Sequence, residues 1–505
     1  MTTEKTLSRD PSDMVKDNDG QSDQLQDVYV QDASNDIYEE GSVDPVYQAK
    51  ARLLNAAIQE IGMGRYQDVV APGTKKQHAQ LIGGLILSPV VSEFQFQSPF
   101  LSLALNIGLF VGAVFWGLGC DIWGRRWSFN ITLLIAGIFG LAAGGSNSFL
   151  TLASLLAVLG VGVGGNLPVD SAVFLDFVPG SHQYLLTVLS IWWSLGQLFV
   201  NLVAWPLIAN FSCPQNAVPG TCTRSENMGW RYLLFTLGGC TLVLWGLRFF
   251  IFTLEESPRF LAGRGHDEEA VAVIQRLATY NGRPCSLTVE QLTKAGEVAR
   301  QRHGPSNGLQ QTPKVFSRSS DYTIDHVKAL FETRKLAWST SLLISLWASR
   351  GAKFGDSTYY ITYRNQDGPS SSGCSADGGA PWQFPRASDQ SFLHEMTLFN
   401  DPPRNEGLTG VFLFASTTAR NSDALLGWNC GYSFFSNIMY GVLYAISPEL
   451  FPAKDRGTGN GLTATATRMF GILTAVPVWV SGALIMGAGA LALLLPYEPR
   501  GKASL

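Results

Sequence analysis

Three charged side chains crowd a ten-residue stretch, Gly117-Leu118-Gly119-Cys120-Asp121-Ile122-Trp123-Gly124-Arg125-Arg126, with apolar sequence on both sides. A carboxylate at one helix end and guanidiniums at the start of the next can cap exposed amides and pair across an interface. Such pairs can lock two parts of a protein in one state and release them in another. Gly117 and Gly124 permit the close packing and sharp turn this needs. Two further charges stand inside apolar runs: Asp170, just beyond Pro168, and Arg468, which ends Thr463-Ala464-Thr465-Ala466-Thr467. A charge at membrane depth is costly unless it faces a cavity, finds a partner or, for a carboxylate, takes a proton. Asp170 and Arg468 are therefore candidates for solute contact or proton coupling. The blander readings stay open: a structural hydrogen bond for Asp170, snorkelling to the interface for Arg468.

The elements that must hold these groups are apolar helices. From Ser98 to Thr253 only nine of 156 residues are Asp, Glu, Lys or Arg, about 6%, against 15% for the whole chain. Apolar stretches of roughly 20 residues separate the charges, the length that crosses a hydrocarbon core. Clear spans are expected at about 98–118, 128–145, 149–174, 185–209 and 230–253, then at 425–447 and 476–495. Weaker ones stand at 336–348, 408–419 and 458–473. Aromatic and amide groups that could line a cavity between helices cluster at Trp193 and Gln197, and again at Asn437 and Tyr440.

Residues 1–44 carry twelve acidic and three basic side chains and no apolar period, which reads as a disordered acidic tail. Over 45–67, Leu53, Leu54, Ala57, Ile58 and Ile61 share one helical face, the pattern of an amphipathic helix lying on a membrane surface. Residues 81–253 form a first membrane half, 254–335 a polar central loop, 336–496 a second half and 497–505 a short tail. Basic residues at 125–126, in the central loop, at Lys454 with Arg456 and at Arg500 with Lys502 put one side of the bundle in the cytoplasm, together with the amino terminus. Cys213 and Cys222 bracket a polar loop on the other side, where a disulfide can form. None of the seven cysteines forms a Cys-x-x-Cys pair, and no metal site, phosphate loop, nucleophile elbow or nucleic-acid motif stands out. The sequence therefore gives no indication of a cofactor, a nucleic-acid partner or an enzyme.

A short pattern recurs at an offset of 273 residues: Asp176-x-x-Pro179-x-x-x-Gln183 and Glu449-x-x-Pro452-x-x-x-Arg456. Each copy ends a long apolar helix, which points to an internal two-fold. The Gly117–Arg126 turn resembles the loop between the second and third helices of major facilitator superfamily transporters. The repeat resembles the sugar-porter element Glu-x-x-Pro-x-x-x-Arg, and Glu255-Glu256-Ser257-Pro258-Arg259 resembles the same group's signature after helix six. The segment Glu60–Gln67 looks like the pre-helix segment of the synaptic-vesicle-protein-like branch. The resemblance implies an all-α membrane protein of two pseudo-symmetric six-helix halves, with Gly117, Asp121, Gly124, Arg125, Arg126, Asp176, Glu449, Pro452 and Arg456 in gating. It implies a monomer that moves a small polar solute, sugar-like or an organic anion, by alternating access through the bilayer. Proton coupling is left open, and the plasma membrane is preferred over an internal one. Gln183, where the pattern has arginine, weakens the first-half gate.

About ten spans are recognisable, with breaks after Gln67, after Ala348, across 366–405 and after Gly471. Because the flanks of each break keep the resemblance, the chain reads as an incomplete version of a twelve-helix protein. A non-transporting receptor or scaffold of the same fold, or an inactive chain, are the rival readings.

Overall fold

The computed structural model describes residues 45–70, 78–96, 99–182, 191–213, 222–250, 254–303, 327–349, 422–451 and 455–473, with a few isolated positions between. The expectations for residues 1–44, 366–405, 476–495 and 497–505, and for Gln183 and Pro452, lie outside the described residues. Among the described residues the secondary structure is helical throughout.

A soluble-looking group comes first: α1 (Pro45–Ile61) and α2 (Arg65–Val70). The first-half bundle follows, with α3 (His78–Phe94), α4 (Pro99–Trp123), α5 (Arg125–Gly144), α6 (Phe149–Gly164), α7 (Asn166–Phe177), α8 (Ile191–Phe211) and α9 (Gly229–Phe250). The central loop folds into α10 (Pro258–Gly263), α11 (Asp267–Asn281) and α12 (Val289–His303). A helical segment over 334–349 opens the second half, which continues with α13 (Ser422–Glu449) and α14 (Arg456–Leu473).

Among the described residues, four helices are long and apolar enough to cross a membrane: Phe100–Trp123, Arg125–Gly144, Phe149–Phe177 and Gly229–Phe250. The protein is a multi-pass membrane protein. In lipid, apolar side chains gain little by burial, so helices associate through close backbone contact at small residues. The seam between α4 and α6 is built that way. A Cβ on Gly108 would run into the carbonyl of Ala157, and one on Gly164 into the carbonyl of Leu109. Trp116 of α4 adds a hydrogen bond from its indole N–H to the Val161 carbonyl at 3.1 Å.

The first break in the sequence has a definite form. Helix α3 has 17 described residues, His78–Phe94, about 26 Å of helix with Pro89 inside it.

The apolar face of α1 is not laid on a membrane surface. Leu54, Ile58 and Ile61 are at most 1% exposed and pack with Ala270, Ile274 and Leu277 of α11 and Leu292 of α12. Lys50 pairs with Asp267 at 2.5 Å along the edge of that contact. Helices α1, α2 and α10–α12 thus form a cap on one end of the bundle, the end called the loop side below.

Candidate functional site

The charges of the Gly117–Arg126 turn meet the second half at the loop side. Asp121, near the end of α4, accepts the backbone N–H of Thr458 at 2.7 Å and its hydroxyl at 3.0 Å. Thr458 lies in the first turn of α14, so the carboxylate caps amides that the helix cannot satisfy itself. Arg125 opens α5 and lies 3.7 Å from Asp121, one turn away, while its other arm pairs with Asp176 near the end of α7. Arg456 of α14 reaches the same Asp176 at 3.3 Å and donates from Nε to the Pro448 carbonyl at 2.9 Å. Asp176 therefore holds one arginine from its own half and one from the other. None of Asp121, Arg125, Asp176 and Arg456 is more than 6% exposed.

The turn is held in shape from below. Glu256 accepts the backbone N–H groups of Arg125 at 2.9 Å and Arg126 at 3.3 Å, a carboxylate on the first turn of α5. Gly124 has φ +104°, and a Cβ there would stand 2.6 Å from a Glu256 oxygen, so only glycine serves. Arg264 of the cap also donates to the Ile122 carbonyl. Arg126 itself is exposed. Glu449 is buried at the end of α13, within electrostatic reach of Arg456.

Two backbones touch one turn deeper. A Cβ on Gly461 of α14 would stand 2.6 Å from the Cα of Gly117. Cys120 is fully buried beside Gly457. At this end of the bundle the two halves are closed upon each other.

Above the closed end, Asn460 of α14 donates to the hydroxyl of Ser171 on α7 at 3.0 Å. Asp170, 5% exposed, is the next residue on α7 and lies within electrostatic reach of Tyr444 on α13 and Arg248 on α9. Arg468 is half-buried farther along α14, near the half-buried Tyr440, whose ring packs edge-on to Trp347 at 5.4 Å. Gln197 is half-buried on α8 and Asn437 is exposed on α13, and among the described residues no hydrogen bond joins either to the others. Trp193 lies on α8, with its side chain outside the description.

A second cluster, missed by sequence reasoning, closes the far side of the first half. Arg231 grips Glu93 of α3 through both carboxylate oxygens, at 2.6 and 2.9 Å. The indole N–H of Trp230 and the amide of Asn227 donate to the same Glu93 at 3.0 Å, and Arg231 also donates to the Ser146 carbonyl at 3.2 Å. The pattern ties the short α3 to the start of α9. Its one sequence signal is an isolated acidic residue at the end of a marginal apolar run. Arg231→Lys keeps the charge but loses the two-pronged fit. It is expected to lower stability by about 2 kcal/mol, the worth of a charge-assisted hydrogen bond. Thermal unfolding in detergent reads this, and an unchanged melting temperature would mean the pair contributes nothing. Cys213 and Cys222, which flank the α8–α9 connection, are joined as a disulfide with Cα atoms 6.1 Å apart.

With this geometry in hand, likenesses to known proteins are informative. A family model described as Sugar (and other) transporter matches residues 63–322. The MFS siderochrome iron transporter 1 of Ceriporiopsis subvermispora (strain B) is 61% identical over 512 residues, covering 93% of this chain and 94% of the relative. The major facilitator-type transporter hxnZ of Emericella nidulans is 35% identical, over 94% of this chain and 92% of the relative. Among solved structures, the E. coli proton:xylose symporter XylE bound to 6-bromo-6-deoxy-D-glucose superposes with a TM-score of 0.55 at 16% identity, covering 91% of this chain and 97% of that one.

Proposed function

This chain belongs to the major facilitator superfamily of transporters, as a sugar-porter-like member, and from that premise we propose that it is a secondary active transporter of a small polar solute. It works by alternating access as a monomer, in the plasma membrane, with the loop side in the cytoplasm. The observation that carries the reading is the pair of links between halves at one end of the bundle, Asp176 to Arg456 and Asp121 to the first turn of α14. These groups are fully desolvated, and removing charges from water costs several kcal/mol per ion. A buried network of that kind is a poor way to glue two domains for good. It suits a contact that must form and break, because the attraction is largely offset by the desolvation it requires.

On this reading Arg456 of the second repeat copy, together with Arg125 of the turn, supplies the positive charge that Gln183 cannot. Asp170, beside Tyr444 and Arg248, couples the solute or a proton, and Tyr440 and Arg468 are candidate solute contacts farther along. Gln197, Trp193 and Asn437 remain candidate wall residues on α8 and α13. The relative of 61% identity is named for siderochrome iron, so a ferric siderochrome heads the solute panel, followed by sugars and organic anions.

The test is uptake of that panel into cells or proteoliposomes with and without an imposed pH gradient. The wild-type protein is expected to concentrate one class of solute. Asp170→Asn should lose uptake or its dependence on the gradient while inserting normally. Failure to move any panel member would favour the receptor reading, and an unchanged pH profile in the variant would return Asp170 to a structural role.

A further inference from the structure

The segment Glu60–Gln67 has no part in the gate as described, yet its side chains reach the gate. Gln67 is 1% exposed and spends its whole amide on four backbone and side-chain partners. Its Nε2 donates to the carbonyl of Phe177 at 3.1 Å and to that of Gly62 at 3.4 Å. Its Oε1 accepts the Gly64 N–H at 3.1 Å and the Asn281 amide at 2.9 Å. Phe177 is the last residue of α7 and follows Asp176 directly. One glutamine thus joins the end of the helix that carries the shared carboxylate to α11 of the cap.

Neighbouring residues repeat the connection. The Tyr66 ring packs on Phe177 at 5.3 Å, its backbone N–H donates to the side-chain Oδ1 of Asn281 at 3.0 Å, and its hydroxyl accepts the Glu255 N–H at 3.1 Å. Burial pushes the Tyr66 phenol up to about 12. Met63 packs on a cluster made by Phe174, Leu175 and Val178 from the first half and Tyr444 and Ala445 from the second. Tyr47 of α1 is 6% exposed and within electrostatic reach of Arg259, Arg125, Arg456 and Asp455. Four separate side chains of residues 45–67, Gln67, Tyr66, Met63 and Tyr47, thus stand against the α7 end, the seam or the charge network.

We propose that the amino-terminal segment 45–67 is a third component of the loop-side gate, in which Gln67 positions Asp176 through the end of α7 and Met63 wedges the seam, so that docking of this segment favours the closed state. The inference rests on the gating reading above. It assigns Gln67 a positioning role, acting through Asp176 and not on the solute.

The gate carries its own reporter, the buried thiol of Cys120. Its alkylation by N-ethylmaleimide, followed by peptide mass spectrometry on the detergent-solubilised, monodisperse protein, needs no solute. Gln67→Ala and Met63→Ala are expected to label Cys120 about tenfold faster than wild type, the effect of losing one or two closed-state interactions. Leu292→Ala, in the same cap core but away from the seam, is expected to label at the wild-type rate. Equal acceleration in all three variants reduces the segment to general cap stability and overturns the inference, as does no acceleration in the first two. Asp121→Ala separates this from the gate itself. If that variant also labels at the wild-type rate, the gate is misassigned; if it accelerates while Gln67→Ala and Met63→Ala do not, only the role of the segment falls.

Discussion

Asp176→Asn is expected to open the loop side almost completely. Its carboxylate is the shared counter-charge of Arg125 and Arg456, each at most 2% exposed. Removing one member of a buried charge group leaves the rest uncompensated, at a cost of about 3–5 kcal/mol. That cost falls mainly on the closed state, since in the open state water can reach both guanidiniums. The closed-to-open ratio should then fall by roughly a hundredfold or more. Alkylation of Cys120 should accelerate accordingly, and uptake should drop because the carrier no longer returns to the closed form. An acceleration below threefold would show that the network does not set the equilibrium. Arg456→Leu in the same protein should recover part of the closure, because it removes one of the stranded charges.

The second large effect concerns shape alone. Gly461→Val puts three carbons where only 2.6 Å separates a modest Cβ from the Gly117 backbone, and the opposing atoms are main chain. Neither helix can yield locally, so α4 and α14 must separate along their length. Uptake should fall below about a tenth of wild type, with every charge still present, because overpacking at a close backbone contact is not relieved by rotamer changes. Cys120 should label fast in this variant too. Retention of wild-type uptake would mean that the halves do not close through this contact during the cycle.

These residues also show how much could be read before the fold was known. The turn at Asp121 and Arg125 and the repeat at Asp176 and Arg456 were visible because charges in apolar sequence are rare and their spacing recurs. What the sequence withheld was the pairing. Nothing in the linear order says that Arg456 crosses to Asp176, 280 positions away. The grip of Arg231 on Glu93, 138 positions apart, was hidden for the same reason. The apolar stripe of α1 was legible, but periodicity cannot tell a lipid cover from a protein one, so its partner helices went unrecognised. Gln67 gave no signal at all, since a neutral amide looks the same on a surface as at a four-way junction. The sequence argument for Gln197 and Asn437 rested on residue type within a helix, which does not fix the direction a side chain faces.

Because α1 docks on helices encoded far downstream, the order of synthesis matters. Lys50 and Asp267 are 217 positions apart. At about 5–20 residues per second, α1 leaves the ribosome roughly 10–40 seconds before α11 exists to cover it. During that interval Leu54, Ile58 and Ile61 have no native partner, while α4 to α9 are being inserted a short distance away. The nascent stripe must rest on the bilayer surface or a chaperone and then exchange that cover for α11 and α12. The amphipathic pattern thus serves two consecutive environments, lipid or holdase during translation and protein afterwards, and maturation ends only when the second replaces the first.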